Sequence, residues 1–124
     1  LFIMNNKDSL IKLSKRKELK YCSFEDYDLQ ECFKDIKYLN TKSNRGAINL
    51  HTGKPTIEYR LFRGTLDYKR FLASLQFSEA CTLFCKEWST LRLSNAQGWP
   101  DFKAWLGQTG RYSHLVKYFK AHNI

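Results

Sequence analysis

The stretch TIEYRLFRGTL at residues 56–66 places a carboxylate and a guanidinium two positions apart, at Glu58 and Arg60. Side chains alternate between the two faces of an extended strand, so this pair is predicted to project from one face, about 6–7 Å apart. A carboxylate can hold a hard cation, and a guanidinium binds phosphoryl oxygens with a planar fork of donors. The pair therefore suits a metal-bound phosphate, and it equally suits a simple ion pair on a solvated sheet face.

The elements around the pair predict a β-hairpin. Strands over about 45–50 and 56–63 flank the turn sequence HTGKP, whose glycine and proline favour a reversal of the chain. Ile57 and Leu61 lie on the strand face opposite the charged pair, and we expect both to pack beneath the helix that follows.

Helical spacing of apolar side chains begins after the hairpin. It predicts a long helix over about 67–93. Either Asp67 or Thr65 is expected to cap the start of this helix, and the spacing predicts a break or drift near Phe77.

Two shorter helices are predicted near the end of the chain. The first ends at Gly107, and the second, over 112–123, turns three apolar side chains inward: Leu115, Val116 and Phe119. A short amphipathic helix is also predicted over 25–40. The fold class is therefore α+β, with a small antiparallel sheet packed against a long helix and two shorter C-terminal helices.

Composition indicates one basic, folded domain over residues 1–124. Hydrophobic residues make up 43% and aromatic residues 15% of the chain, which excludes intrinsic disorder. The net charge of +9 is spread along the sequence and favours phosphates, nucleic acid or an acidic protein face as partners, or serves solubility alone. No apolar stretch is long enough to span a bilayer, and the opening LFIMNN is too short for a signal peptide, so a cytoplasmic location is expected.

The four cysteines do not form a zinc-binding pattern. Cys22, Cys32, Cys81 and Cys85 include no CxxC pair, although Cys81 and Cys85 are predicted to share one helix face. We expect free, buried thiols rather than a metal site.

Several segments together resemble a known family. NRGAINL, TIEYRLFRGTLDYKRFLASLQ, LSKRKELKYC and GRYSHLVKYF are similar to segments of the amidoligases found in phages and prophages, which share the glutamine-synthetase fold. The resemblance extends from about Leu13 to Ile124 and is most specific over 45–76. It implies that the chain corresponds to the C-terminal half of a glutamine-synthetase-like domain.

The resemblance also implies roles for single residues. Glu58 would be a Mg²⁺ ligand, and Arg60 would contact a phosphate or acyl-phosphate. Arg45 would reach the nucleotide phosphates, while Asn49 and Arg63 also fall on matching positions. The reaction of the family is ATP-dependent amide formation, with Mg²⁺ and ATP as cofactors.

The sequence lacks the acids that this reaction needs. It contains no Glu-x-Glu and no His-x-His or His-x-Asn strand, and a single carboxylate cannot hold a di-magnesium–ATP complex. His51 is predicted in the hairpin turn, and His114 and His122 on the surface of the last helix. Catalysis by this chain alone and a bound cofactor are therefore not expected.

Two functions follow. The first is a non-catalytic binding or inhibitor protein of phage origin, acting in the host cell in an anti-CRISPR-like manner against a nucleic-acid-guided nuclease. A host protein or protein–nucleic-acid complex, or a second copy of the chain, would then contact Arg60, Arg63 and four aromatic residues: Tyr59, Phe62, Trp99 and Trp105. The alternative is half of an ATP- and Mg²⁺-dependent amidoligase, completed by another chain or by a dimer.

Overall fold

A computed structural model describes residues 2–16, 46–49, 56–88 and 98–124, with an α+β architecture. Its elements in chain order are α1 (Phe2–Asn5), α2 (Lys7–Ser14), β1 (Ile48–Asn49), β2 (Glu58–Tyr59), α3 (Tyr68–Glu87), α4 (Gly98–Thr109) and α5 (Ser113–His122). The predicted helix over 25–40, the hairpin turn, Cys22, Cys32, Arg45 and His51 lie outside the described residues. Each helix in the described ranges is too short or too polar to span a bilayer.

The predicted hairpin is confirmed as an antiparallel pair, with strands shorter than expected. The register places Ile48 opposite Tyr59 and Asn49 opposite Glu58. The second strand ends at Tyr59 rather than near residue 63, because the next three carbonyl groups all turn toward one arginine, which a regular strand with alternating carbonyls does not allow.

Only one of the two apolar strand residues reaches the core. Leu61 is fully buried, as predicted, whereas Ile57 is 49% exposed. Alternation would place Phe62 on the same face as Glu58 and Arg60, yet its ring packs edge-on against Phe77 at 5.7 Å. Strict alternation holds only within a strand, and Ile57, Leu61 and Phe62 all lie outside the two residues of β2.

The long helix α3 begins where the sequence predicts. The carboxylate of Asp67 accepts hydrogen bonds from the backbone N–H groups of Lys69 (2.9 Å) and Arg70 (3.3 Å). Thr65 assists, because its hydroxyl oxygen accepts from the N–H of Asp67 at 3.1 Å. Two of the donors left without partners at the helix start are thereby satisfied.

The predicted end of α3 and the predicted break near Phe77 are both wrong. The helix ends at Glu87 rather than near residue 93. The next residue, Trp88, has an extended backbone (φ −103°, ψ 136°), and its ring packs on Phe84 at 4.5 Å. It continues unbroken through Phe77 because the buried face follows a regular helical spacing that uses small residues. The buried side chains are Ala73, Phe77, Ala80, Cys81 and Phe84.

We expect Asp67→Ala to destabilise the protein by about 1 kcal/mol, because two backbone N–H groups at the start of α3 lose their acceptor. Urea unfolding measured by circular dichroism would give the free energy of unfolding. Asp67→Asn is the matched control, since it keeps an acceptor oxygen and should retain most of the stability. Equal losses for the two variants would contradict a capping role.

The two C-terminal helices complete the core. Helix α4 continues through Gly107, contrary to the prediction, and it ends at Thr109 because the left-handed residue that follows is Gly110 (φ 61°). In α5, Leu115 and Phe119 are buried and Val116 is partly buried, as predicted. This helix makes its most extensive contact with α3, so the long helix is covered on its inner face.

Candidate functional site

Glu58, in β2, and Arg60, just after it, bring their side chains together on one side of the chain, as predicted. Nε of Arg60 donates to Oε1 of Glu58 at 2.9 Å. Nδ2 of Asn49, opposite on β1, donates to Oε2 of the same carboxylate at 2.9 Å. Both carboxylate oxygens of Glu58 therefore already accept a hydrogen bond. The register of β1 against β2 brings Asn49 to the pair formed by Glu58 and Arg60.

These donors also set the charge state of the carboxylate. The hydrogen bond from Arg60, and next that from Asn49, lower the pKa of Glu58 below its ordinary value of 4.5. Glu58 is consequently ionised at neutral pH. The pair is well exposed to solvent, so its contribution lies in orienting Arg60 rather than in stabilising the fold.

The guanidinium of Arg60 keeps donors available for a ligand. Only Nε is engaged, and in the part of the chain that the structure describes its two Nη atoms have no hydrogen-bond partner. Arg63 is exposed three residues farther along, and no described contact joins it to Glu58 or Arg60. An arginine held by one edge and open at the other can bind a carboxylate or phosphate oxygen pair.

The structure adds Arg16, whose role was not predicted. Its guanidinium donates to the backbone carbonyl oxygens of Arg60 (2.8 Å), Leu61 (2.8 Å) and Phe62 (3.1 Å). In the sequence Arg16 is one member of a basic run that includes Lys12 and Lys15, and nothing local distinguishes it from them. The partners lie 44 to 46 residues away, beyond the reach of any local signal.

The side chain between Glu58 and Arg60 points into the protein. The hydroxyl of Tyr59 lies 2.7 Å from the hydroxyl of Thr82 on α3, and either can donate. Burial raises the pKa of Tyr59 well above its ordinary value. Cys81 is buried and Cys85 partly buried beside it, both with free thiols as predicted, and a hydrogen bond from Cys81 lowers the pKa of Cys85.

The aromatic residues considered as partner contacts are buried or partly buried. Trp99 is buried, while Tyr59, Phe62 and Trp105 are partly buried and packed against the core. Their contact with a partner stays a prediction.

The described side chains fit an oxyanion better than Mg²⁺. Within residues 2–16, 46–49, 56–88 and 98–124, no three His, Cys, Asp or Glu side chains converge to hold a metal. The two described hydrogen-bond partners of Glu58 are donors, whereas a hard cation needs several oxygen ligands. His114 and His122 are exposed on α5, as predicted. The role of Glu58 as a magnesium ligand stays a prediction.

Comparison with family models supports the resemblance. A family model described as "Putative amidoligase enzyme" matches residues 5–82, more than half of the chain. The match contains the segment 45–76, where the resemblance was most specific, and it begins earlier than Leu13 and ends within α3. Helices α4 and α5 lie outside it. Searches of curated proteins and of solved structures returned no match.

Proposed function

The chain belongs to this amidoligase family, and from that premise we propose that it is a non-catalytic, amidoligase-like binding module. In this proposal Arg60, assisted by the exposed Arg63, binds an oxyanion of a phosphorylated or acidic partner. The observation that carries the proposal is the guanidinium of Arg60, fixed at Nε by Glu58 while its Nη atoms face no described partner.

The electrostatics around Arg60 support an anionic ligand. The guanidinium of Arg16 lies behind the backbone of residues 60–62, and Arg63 follows on the exposed side. Arg16, Arg60 and Arg63 carry three positive charges against the one negative charge of Glu58, within a chain of net charge +9. Such a field attracts anions and accelerates their association.

The engagement of Glu58 favours binding over catalysis. Asn49 and Arg60 each take one lone-pair site on the carboxylate of Glu58, and the positive charge of the Arg60 guanidinium opposes a metal ion at the same group. The alternative remains half of an ATP- and Mg²⁺-dependent amidoligase, in which a second chain or a dimer supplies the further carboxylates. Under either function we take the chain to represent the C-terminal half of a glutamine-synthetase-like domain.

Glu58→Gln separates the two functions by the sign of its effect. For the binding module, pyrophosphate without metal should bind roughly threefold more tightly to the variant, because a like charge near the ligand is removed while the amide oxygen still accepts from Arg60. For the half-ligase, the variant should lose Mg²⁺-dependent binding of a non-hydrolysable ATP analogue. Isothermal titration calorimetry measures both affinities.

Glu79→Gln is the matched control for this experiment. Glu79 is an exposed carboxylate that pairs with Arg111 on another part of the surface, so its removal changes the net charge equally without touching the site. A similar gain in both variants, or weaker pyrophosphate binding in Glu58→Gln, would contradict the binding module.

The partner itself stays a prediction. We propose an inhibitor of a nucleic-acid-guided nuclease, from the resemblance to phage amidoligases, and such an inhibitor would reduce cleavage by the nuclease in a purified assay. In this proposal Arg60→Ala would relieve the inhibition, because the anchoring guanidinium is removed. Inhibition that survives this substitution would place the interaction elsewhere on the chain.

A further inference from the structure

We propose that Arg16 is the positioning residue of the oxyanion site, which holds the backbone of residues 60–62 and thereby aims the guanidinium of Arg60. The expected effect on oxyanion binding rests on the proposed function, whereas the effect of Arg16 on the backbone of residues 60–62 can be tested independently. It starts from one guanidinium that donates to three successive carbonyl oxygens, at 2.8, 2.8 and 3.1 Å.

The segment that Arg16 holds has no other regular support. Residues 60–67 connect β2 to α3 and belong to no helix or strand. The N–H of Arg60 still donates to the carbonyl of Ala47 at 2.9 Å, but beyond that point the sheet provides no further described bond. The three bonds from Arg16 therefore replace the missing ladder at the place where Arg60 leaves the strand.

Arg16 is itself held firmly in place. The preceding residue, Lys15, has a left-handed conformation (φ 51°) that residues other than glycine rarely adopt, and it turns the chain out of α2. The backbone N–H of Arg16 donates to the hydroxyl of Ser14 at 3.4 Å. From α3, Nη2 of Arg70 donates to the carbonyl of Ser14 at 2.8 Å, which ties the end of α2 to the start of α3.

Lysine could not replace arginine in this arrangement. The planar guanidinium presents several donors in one plane at fixed angles, and Nε and Nη2 reach three converging carbonyl groups together. An ammonium group keeps the charge but offers a single donor centre. Arg16→Lys thus separates the positioning effect from the effect of charge.

The bonds from Arg16 should restrict the conformational freedom of Arg60 before a ligand binds. A guanidinium that starts from a fixed backbone and is oriented by Glu58 loses little freedom when an oxyanion is bound. If the backbone of residues 60–62 is released, that ordering must occur during binding, and the affinity falls although every ligand-contacting side chain is still present.

The test compares Arg16→Lys with the wild-type chain in two measurements. NMR of the arginine Nε–H groups should show several-fold faster exchange of the Arg60 Hε with water in the variant. Titration with pyrophosphate should show about fivefold weaker binding after correction for the folded fraction. Lys12→Ala, an exposed change on α2, is the control and should leave the Arg60 Hε exchange unchanged.

The outcomes are distinguishable. Unchanged Hε exchange in Arg16→Lys would overturn the positioning role, whatever the affinity. If the wild-type chain binds no pyrophosphate, the proposed function fails, while faster Hε exchange in the variant still supports positioning. Should Arg16→Lys fail to fold, Arg70→Lys, which removes the tie to Ser14, should show the same direction of change to a smaller degree, and no change there would overturn the inference.

Discussion

Replacing Phe102 by alanine is expected to destabilise the protein by about 3–5 kcal/mol, the largest effect on stability that we predict. Phe102 is fully buried in α4 and lies at the centre of an aromatic cluster. Its ring centroid is 5.2 Å from Phe2, 5.8 Å from Phe77, 5.2 Å from Phe84, 5.6 Å from Trp99 and 6.3 Å from Trp105. Truncation would leave a cavity bordered by rings from α1, α3 and α4.

Such a loss is large relative to the total stability of a small domain, about 5–15 kcal/mol. Phe71→Ala is the matched control, because it is the same chemical change at a position that is 48% exposed on α3. Thermal and urea unfolding should show a much smaller effect for that variant. Comparable losses for the two would mean that the cluster around Phe102 is not the centre of the core.

This prediction also bears on the extent of the functional unit. The family match covers residues 5–82, yet Phe102 and the rest of α4 lie outside it. Phe77, inside the matched segment, packs edge-on against Phe102, and α5 makes its most extensive contact with α3. The core of the matched segment therefore includes side chains of the last two helices.

Arg60→Ala is expected to weaken pyrophosphate binding about 10-fold to 100-fold, the largest effect on function that we predict. The range corresponds to the loss of charge-assisted hydrogen bonds from an oriented guanidinium. Stability should change little, because the ion pair with Glu58 is exposed to solvent. Isothermal titration calorimetry and thermal unfolding of the same samples would measure both quantities.

Arg111→Ala is the control for Arg60→Ala. Arg111 is also an exposed arginine paired with a glutamate, Glu79, but it lies before α5 and away from the hairpin. Both substitutions lower the net charge equally, so a difference between them reports the site and not the general attraction of a basic protein. Equal losses of affinity would show that pyrophosphate binds through net charge alone.

Local chemistry in the sequence was sufficient to predict several features. A period of two places Glu58 and Arg60 on one strand face, and the structure confirms their contact. The short acidic side chain of Asp67 before an apolar helical pattern predicts the start of α3, and its cap bonds are present. The family resemblance rests on contiguous segments around the same strand, and the family match confirms it.

Other features depended on how the elements pack together. Phe71 and Leu75 are large apolar residues of α3, yet they are 48% and 54% exposed, whereas the face that carries Ala73 and Ala80 is buried. A periodic pattern of apolar residues does not show which helix face is buried until the neighbouring element is known. Small residues such as alanine, which allow a close helix contact, do not stand out in the sequence.

Neighbours within a few positions were enough to predict the two hairpin strands, the start of the long helix and the contact between Glu58 and Arg60. Helices α1 and α2, the bond from Asn49 to Glu58 and the bonds from Arg16 to residues 60–62 became evident only in the folded chain. Hydrogen bonds to backbone carbonyl groups require no particular side chain at the accepting residue, so they leave no local signal. The residue types at positions 60–62 therefore do not indicate that Arg16, 44 to 46 positions away, binds their carbonyl groups.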